Sequence, residues 1–211
     1  MYKVISEELT IRAVVQLASD PILAPLFSNF PACTIRPHTN YYRELVESII
    51  GQQLSIKAAA SINRRFLELF EGEFPDPEKL LNQPVEYLRD TGFSGAKVKY
   101  VRDLAEHVLD GRLKFDAFDQ MSNEDIIAAL LPVKGIGEWT AHMFLMFCMA
   151  RPDVLPVGDL GIRNGIKQLY GFDHLPSPDE IREIAVRGNW HPYESIASWY
   201  IWQNLDNKNI A

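Results

Sequence analysis

The sequence has little of what several protein classes need. Its 211 residues include only 2 Cys, too few for a disulfide framework, a four-ligand zinc site or an iron–sulfur cluster. Lys and Arg total 21 against 28 Asp and Glu, a net charge of −7, so the basic surplus of most nucleic-acid-binding domains is missing. The longest apolar run, Met143–Ala150, is far shorter than the ~20 residues of a membrane-spanning helix. Charge alone therefore argues against a nucleic-acid partner.

Hydrophobic residues make up 47% of the chain, and their spacing is helical almost throughout. Cap residues precede prolines at Asp76-Pro77 and Ser177-Pro178, and Ser122 opens a further helix. At Ser177-Pro178, Glu180 also completes a capping box. No segment bounded by turn residues shows the alternation of apolar and polar residues that is typical of a β-strand. The sequence therefore predicts an all-α fold.

One predicted helix, Glu138–Ala150, is apolar on nearly every face, which is typical of a buried central helix. Before it, the string Leu131–Ala141 contains the turn Gly135-Ile136-Gly137. Two glycines at this spacing allow a sharp turn and close approach of a ligand to the backbone, and Lys134 would add positive charge for a phosphate. A plain interhelix turn is the alternative interpretation of a Gly-x-Gly sequence alone.

Several ordered motifs together resemble a known family. The chain is similar to the helix-hairpin-helix DNA glycosylases, in the DNA-3-methyladenine glycosylase II branch, from roughly Tyr41 to Leu205. The motifs that carry the resemblance are Glu47–Ser55, Gly92–Lys97, Leu131–Ala141, Leu155–Gly161, Trp190–Tyr193 and Trp199–Trp202.

The resemblance implies an organisation as well as a fold. We expect a single glycosylase unit over 1–211, with two helical lobes around a cleft and a helix-hairpin-helix motif. One lobe would span about 43–145 and end in the hairpin, and the other would combine 1–42 with 146–211 and carry the catalytic aspartate. Because the motifs begin near residue 41, we expect the compact form without the N-terminal β-rich domain of larger members.

Asp159 is the catalytic residue that the resemblance implies. Cleavage of an N-glycosidic bond builds positive charge on the sugar, which one ionised carboxylate can stabilise while it orients or deprotonates water. The alternative duty of Asp159 is to cap the helix that begins at Leu160. The two roles are compatible.

The base pocket and the DNA contacts are assigned by the same resemblance. Trp139 and Trp202 fall at positions that line the pocket, and Met143 replaces an aromatic residue of some relatives. Core packing is the alternative for these tryptophans, and the favoured one for Trp190 and Trp199. The side chain that fills the flipped base's place would be Gln53 or Leu54. The expected DNA-binding residues are Lys134, Gly135, Gly137, Thr140, Gln53, Leu54 and Lys97.

The expected activity is monofunctional excision of alkylated bases such as 3-methyladenine and 7-methylguanine from double-stranded DNA. Bifunctional relatives carry a lysine where this chain has Trp139, so we expect no strand cleavage. No catalytic metal and no iron–sulfur cluster are expected, although Na⁺ or K⁺ at the hairpin carbonyls near Val133 and Gly135 fits the family. We expect a monomer without membrane contact, cytoplasmic and associated with the nucleoid.

Three alternatives stay open: a non-catalytic helix-hairpin-helix DNA-binding protein, an α-helical binding protein for small cationic or aromatic ligands, and an oxidised-base glycosylase. If the chain is a glycosylase, the net charge of −7 becomes a prediction of a polarised surface. The acidic residues should then lie away from the hairpin Gly135 and from Asp159.

Overall fold

The computed structural model describes residues 4–208, and the regular structure of that part of the chain is helical. This confirms the predicted all-α fold. The helices are α1 (Glu7–Leu17), α2 (Leu26–Asn29), α3 (Tyr41–Gly51), α4 (Ile56–Leu69), α5 (Pro77–Asn82), α6 (Val85–Asp90), α7 (Gly95–Leu109), α8 (Asn123–Leu130), α9 (Glu138–Met143), α10 (Leu160–Tyr170), α11 (Pro178–Arg187) and α12 (Glu194–Lys208). A 3₁₀ helix (Phe115–Gln120) and a π-helical turn (Phe144–Cys148) complete them. Within residues 4–208 no helix is long and apolar enough to cross a membrane.

The described chain forms two compact units, which we call the hairpin unit and the aspartate unit. The hairpin unit is Thr39–Phe144, and the aspartate unit combines the residues up to His38 with those from Leu145 onward. Residues 1–3 and 209–211 of the expected second lobe lie outside the described residues.

The core of the hairpin unit forms around α7. Helices α3, α5 and α6 pack against α7, and α4 packs against α3. The side chains of Val101, Leu104 and Ala105 on α7 are fully buried, as the apolar stripe of that helix predicts. Phe66 on α4 stacks on Phe93, with ring centroids 5.4 Å apart. The result is a rigid support for the segment that joins α8 to α9.

The predicted helix starts are confirmed in detail. The Ser177 hydroxyl accepts a hydrogen bond from the Glu180 backbone N–H, and the Glu180 carboxylate accepts one from Ser177 N–H at 2.7 Å. Asp76 and Ser122 cap α5 and α8 through the same kind of side-chain acceptor. These motifs are local, so the sequence alone is sufficient to identify them.

The prediction of one fully buried helix over Glu138–Ala150 is wrong in two respects. The α-helix ends at Met143 and continues as the π-helical turn over Phe144–Cys148. In addition, Trp139 is 50% exposed and Phe147 is 41% exposed. Apolar character on all faces does not distinguish side chains that pack in a core from those that face a ligand. A π turn inserts an extra residue and redirects the side chains beyond it, and such turns concentrate at functional sites.

The aspartate unit has a buried carboxylate at its centre. Asp20 is 4% exposed, and its Oδ2 accepts hydrogen bonds from Tyr170 Oη at 2.6 Å and Trp190 Nε1 at 3.0 Å. Its Oδ1 accepts from the Ile22 N–H at 2.9 Å. Asp20 therefore joins the N-terminal segment to two aromatic side chains from the C-terminal half of the chain.

We expect Asp20→Asn to destabilise the fold by about 2 kcal/mol. The asparagine amide group would place an N–H donor opposite the Trp190 N–H, where the carboxylate oxygen now accepts a hydrogen bond. At this chain length the melting temperature should fall by about 5 °C. Thermal unfolding followed by circular dichroism measures this change, with the exposed Asp173→Asn as the control. An unchanged melting temperature would show that the buried network contributes little.

Candidate active site and nucleic-acid interface

The hairpin is a tight connection between α8 and α9. Val133 N–H donates to the Leu130 carbonyl and Ile136 N–H donates to the Val133 carbonyl, both at 3.0 Å, so two successive turns reverse the chain. Gly137 then caps the start of α9. The sequence prediction of a short turn before a new helix is confirmed.

The two hairpin glycines differ in their backbone conformation and in the space around them. Gly135 has φ +83°, a backbone conformation that favours glycine, and a Cβ there would overlap the Tyr100 ring. Gly137 has φ −101°, and among the described atoms a Cβ there would meet nothing within 4 Å outside its chain neighbours. The fold thus requires Gly135, whereas the space beside Gly137 is open to a ligand.

Lys134 does not extend freely from the hairpin, as its predicted phosphate-binding role would need. Its ammonium forms an ion pair with Asp103 at 2.5 Å, although the side chain is 67% exposed. The same carboxylate accepts the Lys134 backbone N–H at 2.9 Å. Burial opposes ionisation of Asp103, but the hydrogen bonds and charge of Lys134 outweigh it and lower the pKa of the carboxyl. Lys134 therefore helps to hold the hairpin on α7.

Beside the hairpin lies a groove of about 650 Å³ within the hairpin unit. The described residues that line it are uncharged except for one lysine. They are Ser48, Gly51, Gln52, Gln53, Leu54, Ser94, Ala96, Lys97, Tyr100, Gly135, Trp139 and Thr140. Six of the predicted DNA-binding and pocket positions therefore meet at one surface. The described groove lining has no carboxylate in a chain of net charge −7, but Asp103 contacts Lys134 of the hairpin and Glu138 is exposed next to Gly137. The predicted separation of acidic residues from the hairpin therefore holds for the groove lining and not for the hairpin itself.

The groove is bounded on one side by the loop between α3 and α4. Gln53 and Leu54 are exposed there, as expected for a side chain that enters DNA. Gln53 has φ +58°, in the left-handed region that costs a residue other than glycine about 1 kcal/mol or more. Nearby, Lys97 donates from Nζ to the Ile50 carbonyl at 2.6 Å, and burial lowers the pKa of its ammonium.

The Na⁺ or K⁺ site at the hairpin carbonyls stays a prediction. The Val133 carbonyl accepts the Ile136 N–H, and the Gly135 carbonyl accepts Gln52 Nε2 at 2.8 Å. Each of these oxygens accepts one hydrogen bond, and a carbonyl oxygen has a second lone pair that is available to ligate Na⁺ or K⁺. Elsewhere in the described residues, no group of three or more His, Cys, Asp or Glu side chains is arranged to hold a metal ion.

In the aspartate unit, Asp159 caps α10. Its Oδ1 accepts the Ile162 backbone N–H at 2.8 Å, as the capping alternative predicts. The same oxygen accepts the Trp202 indole N–H at 3.0 Å. A Cβ on Gly161 would lie 2.9 Å from Trp202 Nε1 and 3.0 Å from Asp159 Oδ1. The absence of a side chain at Gly161 therefore allows the indole to reach the carboxylate.

An aromatic pair lies next to this carboxylate. The rings of Phe147 and Trp202 are 5.6 Å apart at their centroids and inclined by 33°, with Trp202 half-buried and Phe147 largely open. Sequence reasoning did not identify Phe147, because it lies inside a continuous apolar run. Trp190 and Trp199 are buried at 0% and 7% exposure, as their expected core roles require.

The expected site residues thus fall into two groups. Lys97, Gly135, Trp139 and the loop residues adjoin the groove of the hairpin unit, and half-buried Met143 ends α9 in the same unit. Asp159 and Trp202 are in direct contact in the aspartate unit. Sequence reasoning also missed Gln52, Tyr100 and Asp103, which hold the hairpin.

Comparison with known proteins gives consistent matches. Residues 46–189 match the family described as HhH-GPD superfamily base excision DNA repair protein. The chain is 35% identical over 167 residues to DNA-3-methyladenine glycosylase 1 of Schizosaccharomyces pombe, across 77% of this chain and 71% of that protein. It spans 66% of the length of a Bacillus subtilis relative that is 30% identical over 190 residues.

Two solved structures share the fold over almost the whole chain. DNA-3-methyladenine glycosidase from Bacillus halodurans has a TM-score of 0.85 at 36% identity, covering 94% of this chain and 91% of that one. The 3-methyladenine DNA glycosylase of Schizosaccharomyces pombe, in complex with abasic DNA, has a TM-score of 0.77 at 31% identity and covers 92% and 97%.

Proposed function

Since the chain belongs to the HhH-GPD superfamily of base excision DNA repair proteins, we propose that it is a monofunctional DNA glycosylase that hydrolyses the N-glycosidic bond of alkylated bases. The observation that carries the proposal is the Asp159 carboxylate, whose Oδ1 is held by the Ile162 N–H and the Trp202 indole. The relatives named as 3-methyladenine glycosylases support the substrate class.

Asp159 is the catalytic residue of this proposal. As the bond between C1′ and the base breaks, its electron pair leaves with the base and positive charge grows on the sugar. The carboxylate stabilises that charge and accepts a proton from the water whose oxygen bonds to C1′. Hydrogen bonds to its Oδ1 orient the group before the reaction, so little reorganisation is needed at the transition state.

The positive charge of the alkylated base also contributes to selectivity. An alkylated purine such as 3-methyladenine carries positive charge, so it departs as a neutral base without a proton from the enzyme. Electron-rich aromatic faces favour such a cation by up to ~2 kcal/mol when desolvated. Trp202 contacts Asp159 through its indole N–H, and the Phe147 ring packs beside Trp202. We retain Trp139 and Met143 as base-pocket residues on the strength of the family resemblance.

Double-stranded DNA is the proposed partner of a monomeric, cytoplasmic protein. The hairpin turn with open space beside Gly137 allows a phosphate to approach the backbone closely. The adjoining groove, with Lys97 and without a carboxylate among its lining residues, suits the phosphodiester chain. The complex of the Schizosaccharomyces pombe structure with abasic DNA supports this role.

Trp202→Phe is expected to lower the turnover number for base release by about tenfold, because the ring remains but its hydrogen bond to Asp159 is lost. The Michaelis constant should change less, since the aromatic face persists. Multiple-turnover kinetics on a duplex with one 7-methylguanine measure both quantities. The control is Trp199→Phe, which removes an indole N–H from the same helix without contact to Asp159. Equal turnover in Trp202→Phe and wild type would remove Trp202 from a positioning role.

A panel of single-lesion duplexes tests the proposed function against its alternatives. Each duplex carries one 7-methylguanine, hypoxanthine, ethenoadenine or 8-oxoguanine and is analysed before and after hot alkali. We expect abasic sites at an alkylated base and strand breaks only after alkali, because Trp139 cannot form a Schiff base. Breaks before alkali at 8-oxoguanine would favour an oxidised-base glycosylase. Binding without any base release would favour a non-catalytic DNA-binding protein.

A further inference from the structure

Three side chains at three-residue intervals along one face of α7 hold the groove together. Lys97 donates to the Ile50 carbonyl at the end of α3, and the Tyr100 ring lies directly beneath Gly135. One turn further, Asp103 accepts hydrogen bonds from Lys134. Because residues three apart lie on the same side of a helix, α7 supports both the hairpin and the α3–α4 loop.

Gln52 connects these two elements directly. Its Nε2 donates to the Gly135 carbonyl at 2.8 Å, and the side chain is half-buried between the loop and the hairpin. Gln52 is also the C-cap residue that follows the last residue of α3, with a non-helical backbone at φ −51° and ψ 129°. One residue thus terminates the helix before the loop and contacts the hairpin at its tightest point.

The loop beyond Gln52 is held in a costly conformation. Gln53 adopts φ +58°, and the Leu54 N–H closes the turn on the Gly51 carbonyl at 3.1 Å. A backbone of this kind persists only where its surroundings determine it. The bond from Gln52 to the Gly135 carbonyl and the bond from Lys97 to the Ile50 carbonyl both restrain the end of the loop that follows α3.

We propose that Gln52 is a positioning residue that couples DNA binding at the hairpin to the loop that displaces the base. A phosphate bound at the hairpin fixes the peptide of Gly135, which fixes Gln52 and thereby presents Gln53 and Leu54 to the DNA stack. This proposal rests on the proposed function, since it assumes that the loop enters DNA. It assigns Gln52 no contact with the reacting atoms.

The test is the local unstacking caused by the inserted loop in each bound complex, measured apart from catalysis. A duplex carries 2-aminopurine next to a tetrahydrofuran abasic analogue, and its fluorescence is recorded at saturating protein. For Gln52→Ala we expect binding about three- to tenfold weaker, the range for one lost hydrogen bond. At saturation we expect a fluorescence increase less than half that of the wild type, because the hairpin still binds but the loop is no longer held.

Two further variants complete the experiment. Gln52→Met keeps a side chain of similar length, removes the donor and adds no charge to the groove, so it provides the same test if the alanine variant misfolds. Gln16→Ala is the matched control, since it removes amide hydrogen bonds to the Asn189 and His191 carbonyls in the aspartate unit. The control should match the wild type in both affinity and fluorescence.

The outcomes separate coupling from a simple structural role. Weaker binding together with an unchanged fluorescence increase at saturation would overturn the proposal, because Gln52 would then stabilise the hairpin alone. Wild-type values in both measurements would overturn it as well. If the wild type binds and opens the duplex but releases no base from alkylated DNA, the proposed enzymatic function fails while the coupling through Gln52 is still measured.

Discussion

Asp159→Asn is expected to slow the release of alkylated bases by about 10²- to 10⁴-fold, the range for loss of a carboxylate that stabilises charge and activates water. The fold should be retained, because the amide oxygen of asparagine can still accept the Ile162 and Trp202 N–H groups that now end on Oδ1. Asparagine is also as good a helix cap as aspartate. Only the negative charge and the basic oxygen are lost.

The expected phenotype is a protein that binds but does not cut the glycosidic bond. We expect the dissociation constant for abasic-analogue DNA to stay within about threefold of the wild type, since a neutral product analogue draws little on the carboxylate. Asp173→Asn is the control, because that side chain is 98% exposed in the same unit. Near-normal base release by Asp159→Asn would refute the catalytic assignment and leave helix capping as the role of this residue.

Gly135→Ala should destabilise the protein by about 3 kcal/mol and abolish tight DNA binding. The left-handed backbone costs an alanine about 1–2 kcal/mol, and displacement of the Tyr100 ring adds a similar amount. The melting temperature should then fall by about 10 °C. Because the hairpin must shift to relieve the overlap, affinity for undamaged and abasic DNA should fall together.

Gly137→Ala is the matched comparison, two residues along the same hairpin. A Cβ at Gly137 meets no described atom within 4 Å beyond its chain neighbours, so the melting temperature should change by no more than about 2 °C. DNA binding should weaken about tenfold, since the methyl group would occupy the space in which a phosphate approaches the backbone. Wild-type affinity in this variant would show that DNA does not contact the hairpin there.

The features that the sequence predicts well are local. The Ser177 capping box, the hairpin turn and the Asp76 cap of α5 involve residues within a few positions of each other, and the structure has all three. The sequence also offers Asp159 as the cap of α10, and the structure confirms it. Such motifs depend on backbone donors and acceptors that neighbouring residues alone can satisfy.

The features that the sequence does not predict depend on contacts between distant segments. The bonds from Gln52 to Gly135 and from Trp202 to Asp159 join residues far apart in the chain, and no local pattern identifies either pair. Lys134 resembles a free cation in the sequence because its partner Asp103 lies on another helix. Phe147 lies within a continuous apolar segment, so the sequence does not show that its ring is exposed. The structure places it in the π turn with its side chain exposed.

The net charge of the chain likewise differs from the local charge at the groove. A total of −7 describes the whole chain and disfavours non-specific attraction to DNA, whereas binding depends on the charges that line one surface. The groove beside the hairpin has Lys97 and no carboxylate among its lining residues. Binding to undamaged DNA should accordingly be weak at physiological salt.

The most direct measurement is to incubate the protein with methylated duplex DNA and identify the released bases by chromatography and mass spectrometry. We predict free 3-methyladenine and 7-methylguanine, an unbroken DNA backbone, and release by Asp159→Asn that is slower by about 10²-fold or more. If the wild-type protein binds this DNA yet releases no base, or if Asp159→Asn releases bases at the wild-type rate, the assignment of this protein as an aspartate-dependent alkylbase glycosylase is contradicted.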